Sequence, residues 1–134
     1  MEQSNAIVIT GGYLNSSNAK TAHGLIRGTD RFKIVSFIDH KCAGKDAGEI
    51  LDGKNRSIPI YATIKDFLKT GQTATYCVIG VATKGGVIPE SLLVILREAL
   101  ENGFNLVNGL HQYISDIPEL ASLASQKGLQ IIDV

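Results

Sequence analysis

The 134-residue chain has no surplus of charge of either sign. Thirteen Lys and Arg face thirteen Asp and Glu, the formal net charge is +0 and the sequence pI is near 6.8. A balanced surface exerts no long-range pull on a polyanion, which argues against nucleic acid and against an anionic membrane as partners. Long hydrophobic runs are missing too. No stretch approaches the roughly 20 apolar residues of a membrane span. Met1-Glu2-Gln3-Ser4-Asn5 has neither the basic region nor the apolar stretch of a signal peptide. Cysteine is scarce: Cys42 and Cys77 have no metal-site spacing and build no disulfide framework. A cytoplasmic location is therefore expected. Hydrophobic residues at 44% and charged residues at 19% are a globular mixture and not a disordered one. The length fits a single domain over residues 1–134.

Glycine, by contrast, is plentiful. Fourteen residues are about a tenth of the chain, where roughly 7% is usual. They cluster after short apolar runs. Ala6-Ile7-Val8-Ile9, within a strand expected over Asn5–Thr10, is too short and too continuous for a helix and reads as a buried parallel strand ended by Gly11-Gly12. Asn18 can cap a helix over Ala19–Arg27. Further strands are expected at Lys33–Asp39, Ile58–Tyr61, Thr75–Val81, Phe104–Val107 and Leu129–Val134. Pro59 places the third of these six at an edge or at its own first residues. One or two helical turns are expected near Ala47–Leu51, and a short helix over Thr63–Lys69 capped by Thr63. A longer helix should start at Pro89, with Leu92, Ile95, Leu96, Ala99 and Leu100 facing inward and Gly103 as its stop. Ile117, Leu120, Ala121 and Ala124 mark a last helical face, stopped by Gly128. Strand and helix in alternation predict an α/β fold: a Rossmann-like three-layer sandwich with about six mostly parallel strands and helices on both faces.

In an open parallel sheet, ligands bind beyond the carboxyl ends of the strands. The unusual residues recur there: Gly11 and Gly12 after the first strand, Asp39 after the second, Gly80, Ala82, Gly85 and Gly86 around the fourth, and Asn108, Gly109 and His111 after the fifth. Together they predict a site for a nucleotide-type small molecule. Gly11-Gly12 either turns a strand tightly into a helix or lets backbone amides approach a phosphate. The spacing is not Gly-x-Gly-x-x-Gly, since no glycine follows until Gly24. Lys20 and Thr21 lack the glycines of a P-loop, so their expected part is a contact to a phosphate or carboxylate, with a surface lysine and a helix-start threonine as the alternative. Asp39 stands where an acid hydrogen-bonds ribose hydroxyls in dinucleotide folds. His40 and Lys41 follow it and could instead meet a 2′-phosphate, which leaves NAD and NADP both open. Lys45 sits in a polar loop beside Asp46, Glu49 and Asp52; those three acids read as a solvated face and not as a metal site. His111 is the candidate for proton transfer, because histidine titrates near neutral pH. His23 reads as a packing or capping residue. Cys77 should be buried and inert, and Cys42 is not expected to be a nucleophile.

Four segments carry a family resemblance: Asn5-Ala6-Ile7-Val8-Ile9-Thr10-Gly11-Gly12, Ala19-Lys20-Thr21-Ala22-His23-Gly24-Leu25-Ile26-Arg27-Gly28, Ala43-Gly44-Lys45-Asp46-Ala47-Gly48-Glu49 and Asn108-Gly109-Leu110-His111. They resemble the N-terminal Rossmann-like domain of a prokaryotic family of formerly unknown function. Its members are labelled NAD-dependent epimerase/dehydratase-like or D-glutamate N-acetyltransferase-like. The resemblance implies a nucleotide cofactor and a following domain of P-loop type, expected to be absent from these 134 residues and open to supply by a partner. More loosely, Gly44-Lys45, the Ser57–Thr63 segment and Glu98-Ala99-Leu100-Glu101-Asn102-Gly103-Phe104 look like the CoA-binding domain of succinyl-CoA synthetase α subunits. That likeness is architectural and adds CoA to NAD(P) as the expected ligand. The resulting expectation is a nucleotide-binding domain that forms part of an enzyme, with a free-standing ligand-binding or regulatory module as the alternative. A homo-oligomer is compatible with either.

Overall fold

The computed structural model describes residues 4–12, 14, 32–80, 90–108 and 114–133. The strands are β1 (Ser4–Ile9), β2 (Phe32–Ile38), β3 (Ile60–Tyr61), β4 (Tyr76–Ile79), β5 (Asn105–Asn108) and β6 (Ile131–Asp133). The helices are α1 (Ala47–Asp52), α2 (Ile64–Leu68), α3 (Glu90–Glu101) and α4 (Pro118–Lys127), with a 3₁₀ turn at Ile114–Asp116. All six strands join one sheet in the order β3-β2-β1-β4-β5-β6, and every neighbouring pair is parallel. The order runs outward from β1 in one direction to β3, then restarts at β4 on the other side. That reversal makes a topological switch point between β1 and β4.

The sheet forms because its central strands are apolar on both faces. Ala6, Ile7, Val8 and Ile9 are fully buried, as are Phe37 and Cys77. Each fully buried Ile contributes about 1.5–3 kcal/mol relative to exposure. Right-handed crossovers put α2, α3 and α4 on one face, and α3 packs against α2 on one side and α4 on the other. Arg97 of α3 pairs with Glu119 of α4 across that seam. The same crossover rule assigns α1 to the opposite face.

The third and fifth strands start later than expected because another hydrogen bond has taken the backbone group. The third strand is only Ile60–Tyr61. Pro59 has no amide to give, and the Ile58 amide donates to Asp46 Oδ1 at 2.6 Å. Pro59 stands just before this edge strand, and its carbonyl accepts from the Phe37 amide and the Ser36 hydroxyl. The fifth strand starts at Asn105, because the Phe104 amide turns back to the Ala99 carbonyl and closes α3. Thr63 caps α2 through its side chain, as its sequence position predicts. Ile117 is the N-cap of α4 and makes no side-chain cap bond; Gly128 ends that helix in the left-handed conformation. The expected helix over Ala19–Arg27 lies outside the described residues.

Candidate functional site

The carboxyl ends of β1, β2 and β4 come together at the switch point. The Gly80 amide donates to the Ile9 carbonyl at 3.0 Å, and the Gly11 amide donates to the Ile38 carbonyl at 3.3 Å. Gly11, Asp39 and Gly80 therefore share one edge of the sheet. Gly11 and Gly12 have φ of +54° and +97°, a region where side chains are strained, so the turn leaving β1 depends on glycine. A Cβ on Gly11 would touch Ile95 Cδ1 at 3.9 Å, which shows α3 passing beside the turn.

Asp39 organises this edge. It is fully buried. Oδ2 accepts from the Thr10 hydroxyl at 2.7 Å and from the Gly12 and Leu14 amides at 3.0 Å each. Oδ1 accepts from the Lys41 amide at 3.0 Å and the Cys42 amide at 3.2 Å. Burial alone would raise the carboxyl pKa; the Thr10 hydroxyl and the Leu14, Gly12 and Lys41 amides outweigh it and hold the group below its ordinary value. The carboxylate thus ties the turn after β1 to the turn after β2. The expectation of a ribose-binding acid had its position at the end of β2 right, but the structure occupies it differently. A carboxylate has about four lone-pair positions, and donors of this chain fill them. Thr10 is the site residue that the sequence reading passed over. A hydroxyl between an apolar strand and a Gly-Gly turn, facing an acid at the end of the next strand, was the available signal.

His40 and Lys41 are exposed at the same mouth. A Cβ on Gly12 would lie 2.7 Å from His40 Cε1, 3.1 Å from His40 Nε2 and 3.5 Å from Lys41 Cδ. Both side chains therefore converge on the Gly12 turn. Lys20, Thr21, Ala82, Gly109 and His111 lie outside the described residues.

Lys45 faces a different place. It lines an open groove of about 570 Å³ at the sheet edge, with Gly44, Asp46, Glu49, Asn55, Ser57 and Pro59. Beneath the groove, the residues 44–47 run beside the residues 58–60, with backbone bonds from Gly44 N to Ile60 O and from Ala47 N to Ile58 O. Each neighbouring acid has its own partner. Asp46 accepts from the amides of Glu49, Arg56 and Ile58. Burial works to raise its pKa, and these amides lower it overall. Asp52 pairs with both terminal nitrogens of Arg56, at 2.8 and 2.9 Å. Glu49 Oε1 accepts from Asn55 Nδ2 at 2.8 Å. No group of three His, Cys, Asp or Glu suited to a metal ion occurs among the described residues.

Both thiols are buried and free. Burial drives the Cys77 pKa far up. Burial and then the Asp39 charge raise that of Cys42, against the opposing charges of Lys45 and Lys41. Neither thiol is a nucleophile in this state. No helix among the described residues is long and apolar enough to cross a membrane.

The chain is similar to a D-glutamate N-acetyltransferase from Pseudoalteromonas sp, with 40% identity over 57 residues, 42% of this chain and 17% of that enzyme. It is similar to the crystal structure of a DUF1611 family protein from Anabaena variabilis ATCC 29413, with a TM-score of 0.86 and 35% identity over 98% of this chain. The chain spans 37% of that protein. An NAD-binding protein from Listeria innocua shares the fold at a TM-score of 0.62 with 13% identity, over 98% of this chain and 35% of that one. The model of a family described as a domain of unknown function, DUF1611_N, a Rossmann-like domain, matches residues 40–134. With more than half its length matched, the chain belongs to the DUF1611_N family of Rossmann-like domains.

Proposed function

We propose that this domain binds a nucleotide-containing small molecule, NAD(P) or CoA, at the switch point between β1 and β4, and that it serves an enzyme related to D-glutamate N-acetyltransferase. The observation that carries the reading is the strand order 3-2-1-4-5-6, with the Gly11-Gly12 turn and Gly80 side by side where that order reverses. This is the crevice in which doubly wound sheets take nucleotides. Two similarities support it: the Listeria innocua protein is named as NAD-binding, and the Pseudoalteromonas relative as an N-acetyltransferase. Acetyl transfer to an amine needs an acetyl group on a good leaving group, and a CoA thioester is a donor that such a crevice would suit. The matched enzyme is much longer than this match, so the reaction itself would draw on residues beyond this domain.

Calorimetric titration with NADH, NADPH and CoA tests the reading. At least one should bind, and Gly12→Val should abolish binding while the far-UV spectrum persists. A folded Gly12→Val variant with unchanged affinity, or no binding by any of the three, overturns it.

A further inference from the structure

Asp39 is the group that would clamp the free hydroxyls of an NAD ribose, and its lone pairs are already occupied. Five donors of the chain reach its two oxygens, and the residue has no exposed surface. A ribose hydroxyl could bind only by displacing one of them, leaving a donor without its acceptor. The same five donors offset the carboxylate's charge toward the mouth of the crevice, so an anion there meets less repulsion than an open aspartate would exert.

Two of the five, the Lys41 and Cys42 amides on Oδ1, also fix the turn that carries His40 and Lys41. That turn leaves both side chains exposed. It brings the imidazole and the lysine stem within 3.5 Å of the point where Gly12 would carry a Cβ. A hydrogen-bonding imidazole and a mobile ammonium, converging on a turn whose one acid is sequestered, make an arrangement for a compact anion.

We infer that the bound nucleotide carries a phosphomonoester on its adenosine ribose, as NADP(H) does at the 2′ and CoA at the 3′ position, and that His40 and Lys41 read it. This rests on the nucleotide reading above and narrows it: NAD(H), with free ribose hydroxyls, is the disfavoured ligand.

The test is a set of calorimetric titrations of the full chain with two matched pairs, NADPH against NADH and CoA against dephospho-CoA. They are repeated on the His40→Ala/Lys41→Ala double variant. In one pair the phosphorylated member should bind at least about tenfold more tightly, or 1.4 kcal/mol, and its affinity should fall with added salt. The double variant should bind both members of that pair equally, at the level of the unphosphorylated one. The pair that discriminates identifies the source of the phosphate. Equal affinities within both pairs would overturn the inference and leave the nucleotide reading standing. No binding by any of the four would remove both. A preference that persists in the double variant would overturn the assignment to His40 and Lys41. The wild-type comparison does not depend on how the variant folds.

Discussion

Asp39→Asn separates a structural role for this acid from a ligand-binding one. The substitution preserves shape and replaces one acceptor oxygen by an NH₂ group. The amide settles with its oxygen toward the three donors of Thr10, Gly12 and Leu14, because that orientation keeps more hydrogen bonds. Its NH₂ then faces the amides of Lys41 and Cys42, of which the second is buried. Two donors lose their acceptor; at about 1–3 kcal/mol for the buried Cys42 amide and less for the half-buried Lys41 amide, the loss should come to about 3 kcal/mol. That is a large share of a total stability of about 5–15 kcal/mol. With a urea m-value of about 1.5–2 kcal/mol/M, the unfolding midpoint should fall by about 1.5–2 M. The acid limb of the stability curve should flatten as well. The Asp39 pKa is lower folded than unfolded, so its contribution is full above the unfolded value and disappears as pH falls through the folded one. Wild type should lose stability on acidification toward pH 2 more steeply than the variant. A midpoint within about 0.3 M of wild type, with nucleotide affinity lost, would refute this reasoning and return Asp39 to the ligand.

Gly48→Ala should destabilise by about 1–3 kcal/mol by overpacking, because its Cβ would run into the Lys54 carbonyl and lie 2.6 Å from Arg56 Cγ; an unchanged urea midpoint would contradict that. Cys42 and Cys77 should resist iodoacetamide at pH 8 in the native protein and react in urea, since burial raises both thiols; rapid native alkylation, mapped by mass spectrometry, would count against it. Asp46→Ala removes the shared acceptor of the Glu49, Arg56 and Ile58 amides and should cost about 2–4 kcal/mol. Chemical denaturation reads this, and a loss below about 0.5 kcal/mol would show the loop to be independent of its cap.

The sheet was legible because its signal is local. Ala6-Ile7-Val8-Ile9 and Tyr76-Cys77-Val78-Ile79 are continuous apolar runs, and only strands buried on both faces need them. The convergence of Gly11, Asp39 and Gly80 on one edge of the sheet was legible for the same reason, since glycines and Asp39 recur after those runs. The job of Asp39 was not. Four of its five donors are backbone amides, which the sequence writes identically at every residue. The approach of His40 to Gly12 needs β1 and β2 side by side, with 27 residues of sequence separating Gly12 from Asp39. Gly44-Lys45 entered through its likeness to a CoA-binding domain, and the lateral groove that Lys45 lines was not legible, because it depends on the backbone pairing of the residues 44–47 with the residues 58–60.

In the proposed complex, a nucleotide sits over the Gly11-Gly12 turn. Amide chemical shifts of the ¹⁵N-labelled protein, followed during titration with NADPH and separately with CoA, test it residue by residue. Saturable shifts are expected for Gly11, Gly12, His40, Lys41 and Gly80, with little change at Gly44, Lys45 and Asn55. Shifts confined to the lateral groove, or none at millimolar ligand, would contradict it.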